Sequence, residues 1–196
     1  MEPNMLKIYK NKTMKKLITI CLLMATVFTI QAQEKEVCDC PKPTRDQFTG
    51  VCNAIYQRKS GSEGSSFGDK YQEEMWKISC ADPNKDSKEI AYQKIRNMWN
   101  KYREEFRCFG YTGVSVSDTN VSKFSIDTGF STFLVAAVKM WKLDMNFKDY
   151  DGTTLMDFLQ IQRESYKNSI YLAKYEEYDR IYKLLEKNGA KHAKDL

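Results

Sequence analysis

Few side chains here could carry chemistry. After the first 33 residues there are five cysteines, Cys38, Cys40, Cys52, Cys80 and Cys108; one histidine, His192; and a group of aspartates, Asp144, Asp149, Asp151 and Asp157. A Ser-His or Cys-His nucleophile needs a histidine at its side. His192 is the only candidate and stands in the lysine-rich tail, where a solvated role is expected. Cys38-Asp-Cys40 lacks the spacing of a C-x-x-C redox or zinc site. The aspartates do not follow the calcium-loop pattern with its later glutamate, and turn formation is the better reading of them. No Gly-rich phosphate loop and no G-x-S-x-G occurs. The expectation is a protein with no catalytic residues, no metal and no cofactor.

The cysteines are placed by the segment that precedes them. Met14-Lys-Lys16 leads into an apolar run at residues 17–30, closed by Gln31-Ala-Gln33. A basic start, a short apolar core and a small residue at Ala32 are the signature of a secretory signal peptide over residues 1–32, with Met14 as an alternative start. The run has 14 residues, short of the ~20 that a membrane-spanning helix requires. The expectation is therefore a periplasmic or secreted chain with no stable membrane insertion. In that compartment the five cysteines read as disulfides: two bridges and one free thiol, with connectivity open. The leader also accounts for the charge. Residues 1–33 hold five of the 31 basic and one of the 26 acidic residues. The remainder carries 26 and 25, a net of about +1, which leaves no electrostatic footprint for nucleic acid.

The elements that must position any site are mostly helical. Thr44 and Gln47 form a capping box ahead of Phe48, Val51, Cys52 and Ile55, spaced for one helix face. Residues 60–66 are a Ser/Gly linker. A second helix is predicted over residues 69–80, stopped by Asp82-Pro-Asn84. A third starts at a cap on Asp86 and buries Ala91, Ile95, Met98, Trp99, Tyr102 and Phe106, with Gly110 and Gly113 ending it. Residues 111–119 read as a short strand or a loop. Residues 130–143 read as a buried helix. After Gly152 a long helical region is broken near Asn168-Ser169, and Tyr171, Tyr175, Tyr178, Tyr182 and Leu185 form a core-facing stripe.

The last 77 residues carry a repeat pattern. Asp149, Gly152 and Thr154 match D-x-x-G-x-T, and Leu155-Met-Asp-Phe158 stands where P-L-H-x would follow. Leu143-Asp-Met-Asn146 is similar to A-D-x-N, and Asn188-Gly-Ala190 to a repeat end. Asn120 and Thr154 lie 34 residues apart, against an ankyrin period of about 33. Together these resemble a degenerate ankyrin array of about two repeats. Asn120-Val-Ser-Lys-Phe124 departs from the pattern, and the last repeat carries about 14 extra residues.

The resemblance implies an all-α fold: a disulfide-stapled helical cap over residues 33–110, then stacked helix–turn–helix repeats over residues 111–196. It implies a binding module whose partner is another protein, met at the turn tip Phe147, Lys148, Asp149, Tyr150 and Asp151, with Phe147 and Tyr150 as exposed aromatic anchors. Leader, disulfides and a missing active site together suggest an immunity or inhibitor protein that neutralises a secreted toxin or effector. The rivals are a thiol-based redox or metal-binding envelope protein using Cys38 or Cys40, and a purely structural envelope protein.

Overall fold

The computed structural model describes residues 40–59, 65–112 and 118–196. The expected leader, Met14, Cys38, most of the Ser/Gly linker and Gly113 lie outside them. Among the described residues there are seven α-helices and one two-stranded antiparallel ribbon, and no helix is long and apolar enough to cross a membrane. Helix predominance agrees with the sequence reading; the ribbon is the addition.

Helix α1, Arg45–Lys59, starts at the expected box. The Thr44 amide donates to Gln47 Oε1 at 2.7 Å, and the Gln47 amide donates to Thr44 Oγ1 at 3.3 Å. Phe48, Val51, Cys52 and Ile55 are all buried. Helix α2, Ser65–Ile78, packs along α1 and buries Tyr71, Met75 and Ile78. Helix α3, Lys88–Tyr102, is capped by Ser87 and not by Asp86. Asp86 is taken by Lys94, whose ammonium donates to both carboxylate oxygens at 2.8 and 2.9 Å, and by the Asp82 amide. These partners orient the Asp86 carboxylate toward Lys94 and the Asp82 turn, and the Ser87 hydroxyl, one residue on, accepts from the Ile90 amide instead.

The chain leaves α3 at Tyr102, short of the predicted end, and forms strand β1, Arg107–Phe109. It pairs with β2, Asp118–Asn120, in the register Arg107–Asn120, Cys108–Thr119, Phe109–Asp118. Gly110, at φ +81, turns the chain out of β1. Asn120 joins the ribbon to the next helix. Its Oδ1 accepts from the Ser122 amide and caps α4, Val121–Asp127, while its Nδ2 donates to the carbonyls of Arg103 and Phe106.

Helix α5, Thr132–Lys139, lies in the segment predicted as a buried helix, and Phe133, Leu134, Ala136, Ala137 and Val138 are buried. Thr154 caps α6, Leu155–Tyr166, in a reciprocal box with Asp157. Helix α7, Leu172–Lys187, follows the break at Asn168-Ser169. The tyrosine stripe is shorter than expected. Tyr178, Ile181 and Leu185 are buried, whereas Tyr171 is exposed and Tyr175 and Tyr182 are half-buried. Tyr171 precedes the helix, so its ring is not on the helical face that the spacing assumed.

Helix α4 packs on α6, α5 on α7, and α6 on α7. One apolar cluster runs from Phe48 to Leu185, so the regions 33–110 and 111–196 share a core. Tyr71 illustrates this: its ring meets Phe130, Phe133 and Trp141 at centroid distances of 5.4, 6.1 and 6.1 Å. Two disulfides bind the first half: Cys40–Cys80 from the segment ahead of α1 to the turn after α2, and Cys52–Cys108 from α1 to β1.

Candidate functional site

The turn expected to meet a partner is built from backbone first. The Gly152 amide donates to the Asp149 carbonyl at 2.8 Å, and the Asp149 amide to the Thr153 carbonyl at 2.9 Å. Gly152 sits at φ +75, a left-handed conformation that side-chain-bearing residues rarely adopt. Tyr150 and Asp151 form the tip.

Beneath the tip lies an ion network that joins residues distant in the sequence. The Asp149 side chain is only 6% exposed and is paired with Arg107 and Lys123. It also accepts from the Asn120 amide at 3.1 Å, the Tyr150 amide at 2.8 Å and the Thr119 hydroxyl at 3.3 Å. Lys123 is 3% exposed and donates to both oxygens of Asp151 and to Thr153 Oγ1. Arg107 adds a bond to Asp118 Oδ1 at 2.9 Å, and its guanidinium lies 3.8 Å from the centroid of the Tyr150 ring. Tyr150 itself is 74% exposed. An exposed aromatic is thus held on a half-buried arginine, over a turn anchored by a buried lysine.

The five predicted contact residues separate. Tyr150 and Lys148 are exposed, and Asp151 is exposed while holding Lys123. Asp149 is a structural hub. Phe147 is not an exposed anchor: it is 8% exposed, edge-on to Trp99 at 5.9 Å and beneath the Arg103 guanidinium. The reason is an alternation along the segment. Leu143, Met145 and Phe147 are buried, while Asp144 and Lys148 are exposed and Asn146 half-exposed. That is the period-two alternation of a strand-like segment, and it is legible in Leu-Asp-Met-Asn-Phe-Lys. Trp99 Nε1 and Arg103 hold this segment through the Asp144 carbonyl and carboxylate.

His192 is not a free tail residue. Its Nδ1 is 2.8 Å from Asp157 Oδ1 and its Nε2 is 2.9 Å from the Tyr182 hydroxyl. Asp157 Oδ2 also accepts from the Ala193 amide, so the helix cap doubles as the dock for the chain end. Neither hydrogen-bond partner of His192 is a serine or cysteine. Among the described residues no group of three His, Cys, Asp or Glu side chains is placed to hold a metal ion. Cys40 is bridged to Cys80, whereas Cys38 lies outside the described residues.

Burial pushes the Asp149, Asp151 and Asp157 carboxyls up, but the amides and cations around them outweigh it. Each sits below the ordinary carboxylate range. The unfolded chain therefore takes up protons at these positions first. Their stabilisation is complete above about pH 4 and is lost as pH falls through the depressed folded values. Urea midpoints measured from pH 7 to pH 2 should hold above about pH 4 and fall below it. A midpoint that rises on acidification would contradict this account.

Compared with known proteins, the chain matches no family model, no curated protein and no solved structure. Its function therefore rests on the geometry of this turn and its surroundings.

Proposed function

We propose that this protein is an exported protein-binding module without catalytic activity, of ankyrin-like build, that meets its partner through the tip at Tyr150. Neutralising a secreted toxin or effector is the role that fits best. The observation that carries the reading is Tyr150: a large ring, 74% exposed, held in place by Arg107 and the network below. A pre-ordered aromatic loses little conformational freedom on binding and is a common energetic anchor of interfaces.

Internal repetition supports the ankyrin-like part. Helices α4–α5 and α6–α7 form two successive pairs, first helix on first and second on second. A left-handed residue follows each second helix, Lys142 (φ 56) three residues past the end of α5 and Gly189 (φ 84) two residues past the end of α7, and each precedes an apolar side chain. Those two positions are 47 residues apart, the family period of about 33 plus the ~14 extra residues. Asn146 bonds the Gly189 carbonyl and the Lys191 amide, laying the two return segments side by side. The two disulfides support export, since such bridges persist in oxidising compartments. The Cys40–Cys80 bridge also favours a scaffold over a redox site that uses Cys40.

The test is affinity capture from the periplasmic or secreted fraction with the wild-type chain and Tyr150→Ala in parallel. One partner should be retained by the wild type, with about 30-fold weaker binding to the variant, as truncating an anchor costs about 2 kcal/mol. The variant should keep its melting temperature within about 3 °C, because only one surface cation–π contact is removed. A partner bound equally by both chains, or none at all, would sink the reading.

A further inference from the structure

Beside Tyr150 lies an open groove of about 300 Å³. Its walls include Lys42, Arg45 and Arg107, with Glu105 as the one carboxylate, and the Phe109 and Tyr150 rings. The charges are not equally available. Glu105 is engaged by Lys42 at 2.6 Å. Arg107 is engaged by Asp118 and Asp149. Arg45 forms no ion pair with any described residue; its guanidinium carbon lies 4.2 Å from the Phe109 ring centroid. A guanidinium held over a ring keeps its N–H fork for a planar acceptor, and a carboxylate is the group that fork fits.

We propose that this groove receives a glutamate or aspartate side chain of the partner protein, with the carboxylate on Arg45 and the methylenes against Phe109 and Tyr150. The inference rests on the protein-binding reading and names the chemistry the partner presents. One unpaired cation balances a monoanionic carboxylate; a phosphate dianion would leave a charge unmatched. Tyr150 belongs both to the groove and to the turn tip, so an acidic residue seated here would be continuous with the tip contact.

The experiment is an NMR titration of the disulfide-bonded chain with a capped Ala-Glu-Ala peptide, its Ala-Gln-Ala counterpart and inorganic phosphate, at low salt. The Glu peptide should produce saturable shifts at the Arg45 side chain and at the Phe109 and Tyr150 amides. The Gln peptide and phosphate should produce shifts smaller by about fivefold or more. Arg45→Gln, or about 0.5 M salt, should abolish the response. Arg45 is exposed, so the variant should retain the wild-type spectrum elsewhere. Equal shifts with the Gln peptide or phosphate, or a response that survives Arg45→Gln, would overturn the proposal. Failure here is separable from failure of the module reading. A captured partner that ignores Arg45→Gln removes the groove alone. Glu-peptide binding with no captured partner leaves the groove and removes the module.

Discussion

Replacing Asp149 with alanine is expected to destabilise the fold by about 3–5 kcal/mol, the usual cost of stranding partners in a buried ion network. The carboxylate serves five groups: Arg107, Lys123, the Asn120 and Tyr150 amides and the Thr119 hydroxyl. No water can replace it cheaply, because its side chain is 6% exposed and that of Lys123 is 3% exposed. Asp151→Ala is the internal comparison. That side chain is 55% exposed, so solvent can take over part of its role and the expected loss is about 1 kcal/mol. Asp149→Asn should fall between them, keeping the shape and some hydrogen bonds but not the charge. In a double-mutant cycle with Lys123→Met, the double variant should be more stable than the sum of the single losses, since neither charge is then left alone. Urea unfolding at pH 7 measures all five variants. If Asp149→Ala cost no more than Asp151→Ala, the hub would be refuted.

Removing the Cys52–Cys108 bridge as a double alanine variant should cost about 4 kcal/mol, from the loop entropy released to the unfolded chain. The bridge spans 56 residues, and both cysteines are at most 2% exposed. It joins α1 to β1, the strand that carries Arg107. The melting temperature should drop by about 10 °C, and the losses in helix α1 packing add a cavity cost. The Cys40–Cys80 bridge closes a similar loop of 40 residues, but its end at Cys80 is exposed, so its removal should cost less. Non-reducing peptide mapping checks the premise: linked fragments should contain Cys40 with Cys80 and Cys52 with Cys108. Any other pairing, or a drop in melting temperature below about 3 °C for the Cys52–Cys108 variant, would contradict it.

Much of the architecture was readable residue by residue. The box at Thr44 and Gln47, the helix that follows Gly152 and the break at Asn168-Ser169 all appear where local rules put them. These features depend on a few neighbouring residues. Misreadings came where a distant partner competed. Asp86 lost its cap role to Lys94, eight residues on. Phe147 turned inward because the segment 143–147 found Trp99 on α3 and Arg103 at its C-cap. His192 was drawn from the tail by Asp157, 35 residues away. Lys123 carried a usable signal: a lone cation among Val121, Phe124 and Ile126 must find an acid once its helix is buried.

The sequence alone determined most of the helix positions, the box at Thr44 and the turn at Gly152, because these follow from backbone sterics and short-range hydrogen bonds. It also narrowed the cysteines to bridges without choosing their pairs. Tertiary structure decided the pairs, the union of Asp149 with Arg107 and Lys123, and the groove in which Arg45 faces Phe109. Those contacts join residues 26 to 64 positions apart. Which charges and sulfurs meet over such spans is set by how the helices pack around one core, and no local pattern encodes that.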